Sequence, residues 1–116
     1  MNLALSTRMM GDVAVVKCGG KLTFQREAAA LCEVVSALVL RYRSVVVDMG
    51  EISAVDGSGL GTLAECIRNA RESGSRLVLC NVPRKVKKLL DLTQISSLVD
   101  IESNESDALK RSRAAA

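Results

Sequence analysis

The stretch VVVDMGEISAVDGSGLGTL, residues 45–63, runs from an apolar strand pattern through a glycine-containing turn into a helical pattern. The short β-branched run at 44–49 is largely apolar, which is typical of a strand covered on both faces. After Ser58, leucine, alanine and isoleucine recur at helical spacing until Gly74 ends the pattern. A strand, a turn and a helix in this order predict an α/β unit whose turn lies at the carboxyl edge of the sheet, where such folds place their function.

The rest of the chain repeats this alternation after an opening hairpin, whose turn is predicted at Gly11-Asp12. The predicted strands lie at 3–9, 13–21, 44–49, 76–82 and 97–102, and the predicted helices at 25–41, after Ser58 up to Gly74, at 83–92 and at 106–113. This order predicts one α/β domain over residues 1–116, with a mixed, mainly parallel sheet of about five strands and about four helices. For the tail at about 111–116, the sequence leaves open whether it is ordered or disordered.

Composition argues against several classes of function. The net charge of +3 is too small to indicate nucleic-acid binding by itself. The apolar runs are far shorter than the roughly 20 residues that cross a bilayer, and the N-terminus lacks a signal-peptide pattern, so a cytoplasmic protein without membrane insertion is expected. The chain contains no histidine, and neither a metal site nor a bound cofactor is expected. Each cysteine lies within an apolar pattern and is expected to be a buried, reduced thiol: Cys18, Cys32, Cys66 and Cys80.

The glycines around Ser58 match none of the common catalytic or nucleotide-binding motifs. A dinucleotide fingerprint requires glycine where Thr62 stands, and a phosphate-binding loop requires a lysine after its glycines. A nucleophile elbow requires glycines where Asp56 and Leu60 stand, and the chain has no histidine to act as a base. Two interpretations remain open. Either Ser58 or Asp56 is simply the helix N-cap, or Ser58 is a functional hydroxyl that glycines with positive φ leave uncovered.

Residues 45–95, with the motif DGSGLG at 56–61, resemble the central part of a STAS domain, the fold of bacterial anti-sigma factor antagonists. The family pattern is an apolar strand ending in aspartate, here Asp48, then a short loop and D-x-[ST]-G-L-G. The later strands and helices follow in the family order. The resemblance covers nearly the whole chain, so a STAS fold is expected.

This resemblance implies a binding module that is itself the substrate of a kinase and has no catalytic activity. Unphosphorylated, it would bind a cognate anti-sigma factor, a serine kinase of the histidine-kinase-like ATPase type, and so release the sigma factor. Phosphorylation of Ser58 would end this binding, and a Ser/Thr phosphatase would restore it. A phosphate there could be accommodated by the N–H groups of Gly59, Leu60 and Gly61 at the helix start. The residues expected to contact the partner are Thr23, Phe24, Asp56, Gly57, Gly59, Leu60 and Gly61.

Several residues keep alternatives open. Thr23 stands where the family often has aspartate, so an accessory subunit of a transporter or signalling complex, without a working phosphoswitch, is an alternative. A nucleotide-binding or phosphotransfer protein is a second alternative.

The roles of two other segments are also open. Phe24 is either an exposed anchor for the partner or an apolar residue that closes the first helix onto the sheet. In the run 84–88, RKVKK, the basic residues are either a solvated helix face or a patch for an acidic partner, whereas Val86, Leu89 and Leu90 are expected to face inward.

Overall fold

The computed structural model describes residues 3–114, except for the side chains of Phe24, Gln25 and Ala114. The strands are β1 (Leu3–Met10), β2 (Val13–Leu22), β3 (Ser44–Val55), β4 (Arg76–Cys80) and β5 (Asp100–Glu102). The helices are α1 (Phe24–Val39), α2 (Gly57–Ser73), α3 (Arg84–Leu92) and α4 (Glu105–Ala114), with a 3₁₀ turn at Ile95–Leu98. The predicted mixed sheet with four helices is confirmed within these residues.

The strands follow one another across the sheet in sequence order, β1-β2-β3-β4-β5. The pairing of β1 with β2 is antiparallel, and the remaining pairs are parallel. Because right-handed crossovers that advance in one direction place their helices on the same face, helices α1, α2 and α3 all pack on one side of the sheet. Helix α4 follows β5 and packs on the opposite face. The sheet is therefore covered on both faces, which explains its continuous valine runs.

Alternation along the strands divides the core into a large and a small cluster. Val45, Val47 and Met49 of β3 belong to the large cluster beneath α1, α2 and α3, whereas Val46 lies in the small cluster beneath α4. The described cysteines carry free thiols: Cys18, Cys66 and Cys80 are buried, and Cys32 is half-buried. The prediction of reduced, buried thiols is therefore confirmed for three of these residues.

Strand β3 is longer than the sequence pattern predicted, because it continues to Val55 rather than ending at residue 49. Its pairing with β2 continues to Leu22–Val55 across two irregularities in register. The apolar pattern is lost after Met49 because this part of the strand exposes one face to solvent, so that Glu51 and Ser53 are exposed while Ile52 is buried. The last strand is also shorter than predicted, since residues 95–98 form the 3₁₀ turn.

Residues 111–114 of the tail, whose order the sequence left open, continue helix α4. Arg111 is ion-paired with Glu102 and lies 3.5 Å from the Asp100 carboxylate, and Ser112 is buried. These contacts with β5 and the sheet stabilise the last helical turns. Residues 115 and 116 lie outside the described residues.

Candidate functional site

The start of helix α2 lies directly after β3 at the carboxyl edge of the sheet. Asp56 is the N-cap residue, because one of its carboxylate oxygens accepts a 2.8 Å hydrogen bond from the Gly59 N–H. Its backbone carbonyl accepts a 2.9 Å bond from the Leu60 N–H. Of the two N-cap candidates in the sequence, Asp56 therefore takes this role, and Ser58 is the second residue of the helix.

The Ser58 side chain is exposed. Among the residues whose side chains are described, none forms a hydrogen bond with its hydroxyl. A serine at the start of a helix usually stabilises that start by capping it, but here the cap is supplied two residues earlier. The Ser58 hydroxyl is thus accessible, and the known contacts of the helix start do not depend on it.

The three glycines around Ser58 serve different purposes from the one the sequence suggested. Positive φ values occur at Gly11, Gly20 and Gly74 among the described glycines, and not at Gly57, Gly59 or Gly61, which are helical. The expectation that this segment needs positive φ is therefore wrong.

Gly59 is required because helix and strand approach each other closely. A Cβ atom at position 59 would lie 2.0 Å from the carbonyl oxygen of Leu22, the last residue of β2. Gly57 and Gly61, by contrast, face open space, because a Cβ atom at either position would have no neighbouring atom within 4 Å. These two glycines leave room around Ser58, whereas Gly59 fixes the start of α2 against β2.

An open surface depression of about 440 Å³ adjoins Ser58. It is lined by Gly57, Ser58, Gly61, Thr62 and Glu65. The residues predicted to form the site include neither Thr62 nor Glu65. Both could have been found from spacing alone, since residues 58, 61, 62 and 65 share one helical face.

The other residues predicted to contact the partner differ in how accessible they are near this depression. Thr23 is the N-cap residue of α1, half-buried and extended, and its side chain makes no capping hydrogen bond. It directly follows Leu22, whose carbonyl contacts Gly59, so Thr23 lies beside the start of α2. Leu60 is half-buried and packs against the large core cluster. The prediction for Phe24 concerns a side chain outside the described ones.

The backbone N–H groups that are free to bind a phosphate differ from those predicted from the sequence. The N–H groups of Gly59 and Leu60 already donate to Asp56. Within the described structure, the N–H groups of Gly57 and Ser58 have no acceptor. These two lie at the positive end of the helix dipole and are the donors available to an anion.

The sequence model of the STAS domain family matches residues 4–108. The chain belongs to the STAS domain family. Two named relatives of this STAS domain are anti-sigma factor antagonists. The anti-sigma-B factor antagonist of Listeria monocytogenes is 28% identical over 82 residues, which is 71% of this chain and 68% of the relative. The anti-sigma F factor antagonist of Paenibacillus polymyxa is 24% identical over 110 residues, covering 94% of both chains.

The fold is also that of the anti-sigma factor antagonist SpoIIAA. Its unphosphorylated form superposes with a TM-score of 0.77 at 18% identity, covering 96% of this STAS domain and 97% of SpoIIAA. The phosphorylated form of Bacillus SpoIIAA gives a TM-score of 0.72 at 17% identity, covering 93% and 98%. At these identities the likeness establishes the fold. None of the helices described for this STAS domain has the length and apolar character needed to cross a membrane.

Asp48 of β3 organises a second polar cluster within the sheet of the STAS domain. Its carboxylate is buried and accepts hydrogen bonds from the Gly50 N–H at 2.9 Å and the Asn81 side-chain amide at 3.2 Å. Burial by itself raises the pKa of Asp48. Interaction with the Glu105 carboxyl, the hydrogen bonds from Gly50 and Asn81, and the charge of Lys17 nevertheless hold that pKa below its ordinary value of 3.8.

We expect the Asp48 carboxylate to stabilise the fold in a pH-dependent way. Because its pKa is lowered by folding, its contribution is present above pH 3.8 and is lost as the pH falls through the lower folded-state pKa. Asp48→Asn should therefore lower the free energy of unfolding by about 1 to 3 kcal/mol at neutral pH, with a smaller difference in acid. Urea unfolding of both proteins at neutral pH and below pH 3.8 measures this. An equal difference at both pH values would contradict the assignment.

Proposed function

We propose that this STAS domain is an anti-sigma factor antagonist whose activity is switched off by phosphorylation of Ser58. The observation that carries the proposal is that Asp56 caps helix α2, so the Ser58 hydroxyl is exposed and not needed for capping. The named relatives and the two forms of SpoIIAA support the general role. The proposed site comprises Ser58 as phosphoacceptor and, around it, Thr23, Phe24, Asp56, Gly57, Gly59, Leu60 and Gly61.

The proposed partner is an anti-sigma factor that is also a serine kinase of the histidine-kinase-like ATPase type. We infer that the domain acts as a substrate rather than as an enzyme, as its named relatives are antagonists and no described side chain hydrogen-bonds to the Ser58 hydroxyl. The kinase supplies the catalytic groups, and a Ser/Thr phosphatase reverses the modification. This exchange takes place in the cytoplasm, where the sigma factor works.

The local geometry also explains how one phosphate can end binding without unfolding the domain. The phosphate adds about −1.5 to −2 charges, and the N–H groups of Gly57 and Ser58 can donate to it. The fold then tolerates the modified residue. The partner, however, meets a dianion beside the Asp56 carboxylate on a surface that was previously uncharged at position 58.

The direct test is the intact mass of the domain after incubation with the candidate kinase and ATP. We expect one added phosphate on the wild type and none on Ser58→Ala. The variant should have nearly the same stability toward urea as the wild type, because Asp56 supplies the cap. With a kinase shown to be active on another substrate, an unmodified wild type would refute the switch and favour the accessory-subunit alternative. A phosphate on Ser58→Ala would place the site elsewhere.

A further inference from the structure

The end of strand β3 has an edge that no described strand covers. Pairing between β3 and β4 ends at Asp48–Cys80, whereas pairing between β3 and β2 continues to Leu22–Val55. The chain leaves the sheet at Asn81, which adopts a φ of 52°. In the described chain, no backbone hydrogen bond joins residues 51–55 to residues 81–86. Residues 51–55 therefore present backbone donors and acceptors on one side, as an edge strand does.

A groove of about 430 Å³ separates this open edge from the first turns of α3. It is lined by Ile52, Ser53, Ala54, Val55, Pro83, Arg84, Lys85, Val86 and Leu89. Its floor is apolar, since Ile52 and Val86 are buried. Leu89 was predicted to face inward, but it is 36% exposed at the groove. The exposed part of the Leu89 side chain is therefore available for contact with a bound partner.

The basic side chains of the groove are not neutralised within the domain. Arg84 and Lys85 are exposed, and no described carboxylate lies within ion-pair distance of either. Two neighbouring charges are already paired: Lys87 with Asp91 at 3.2 Å, and Glu51 with Lys17 at 3.3 Å. The groove thus combines an open strand edge, an apolar floor and uncompensated positive charge.

The groove and the proposed phosphorylation site are close together in the sequence. Val55 is its last strand residue, Asp56 caps α2, and Ser58 follows two residues later. A protein that contacts Ser58 is therefore within a few residues of the groove along the chain.

We propose that the groove binds an extended segment of the partner kinase, rich in acidic and β-branched residues, which adds a strand to the open edge of β3. The partner's identity rests on the proposed function. Backbone hydrogen bonds to residues 51–55 would hold the segment, its apolar side chains would contact Val86 and Leu89, and its carboxylates would pair with Arg84 and Lys85.

The kinase in complex with the wild-type domain tests this proposal by amide hydrogen exchange and by affinity. Amides within residues 51–55 should gain protection in the complex. The double variant Arg84→Glu/Lys85→Glu should weaken binding about 10-fold or more, since two favourable charge pairs become repulsive. Its matched control is Lys110→Glu/Arg113→Glu on α4, on the other face of the sheet, which should bind like the wild type.

A second pair of variants tests the apolar contact. Leu89→Ser should weaken binding, whereas Leu92→Ser, at an 81% exposed position on the same helix, should not.

Failure of this proposal is distinguishable from failure of the switch. If Ser58 phosphorylation ends kinase binding but the groove variants bind like the wild type and amides 51–55 stay unprotected, the added strand is refuted and the switch stands. If the wild type binds no kinase, a library of random peptides displayed on phage becomes the probe. Recovery of acidic, extended peptides that protect residues 51–55 would support the groove. Equal recovery on Arg84→Glu/Lys85→Glu would refute it.

Discussion

Alanine at position 59 is expected to destabilise the domain by about 3 kcal/mol or more and to lower its melting temperature by about 10 °C or more. The reason is steric, because the added Cβ would lie 2.0 Å from the Leu22 carbonyl oxygen. Leu22 is completely buried at the end of β2, and its backbone cannot move aside without shifting the sheet. Helix α2 would have to move instead, which would disrupt the Asp56 cap and displace Ser58. Thermal and urea unfolding of Gly59→Ala measure this effect.

Two neighbouring glycines provide matched controls for this variant. Gly57→Ala and Gly61→Ala introduce the same methyl group into the same helical turn, but nothing lies within 4 Å of either added Cβ. Both should be neutral or stabilising by up to about 1 kcal/mol, because alanine is the better helix former. If Gly59→Ala were as stable as these controls, the close approach of α2 and β2 would be wrong.

Phosphorylation of Ser58 is expected to weaken the affinity for the partner kinase about 100-fold or more, equivalent to about 2.8 kcal/mol. The modified serine places a dianion in the contact surface beside the Asp56 carboxylate. Binding of the partner then has to desolvate this dianion, which costs free energy. The melting temperature of the domain should be unchanged or higher, because the phosphate lies at the N-terminus of α2. Affinity by calorimetry and stability by scanning calorimetry, on the same phosphorylated sample, separate the two effects.

Glutamate substitutions extend this experiment to samples without kinase treatment. Ser58→Glu should weaken binding in the same direction but less strongly, since one carboxylate carries less charge than phosphate. Ser73→Glu is the matched control, because Ser73 is an exposed serine at the other end of the same helix. Equal affinity of phosphorylated and unphosphorylated domains would remove the basis for a switch at Ser58.

Much of the fold could be predicted from the sequence because its elements are signalled locally. The turn at Gly11, the C-cap at Gly74 with φ of 77° and the start of α3 after Pro83 each depend on a property of one residue. The end of β3 could not be predicted in this way. Its pairing to Val55 depends on irregularities in register with β2, and its alternation there reflects exposure on one face.

The helix start that carries Ser58 was predicted in position but not in physical detail. The motif located Ser58 at the start of a helix, yet the sequence could not decide between Asp56 and Ser58 as the cap, since both residue types perform this role. Nor could it show why Gly59 must be glycine, because that requirement comes from Leu22, which is distant in sequence. Leu89 was misplaced because helical spacing alone does not reveal that β4 stops pairing with β3 at Asp48–Cys80, which leaves a groove beside Leu89.

The buried thiols give the domain built-in reporters of local opening. Cys80 packs in the small cluster beneath α4, whereas Cys18 and Cys66 belong to the large cluster beneath α1, α2 and α3. Burial raises the pKa of Cys18 and of Cys80 to about 12, so neither thiol reacts readily until its cover is lifted. The rate at which each cysteine is alkylated in the native protein therefore measures how often the helices over that face detach. The two sides of one sheet can then be followed independently, with no cysteine introduced by mutation.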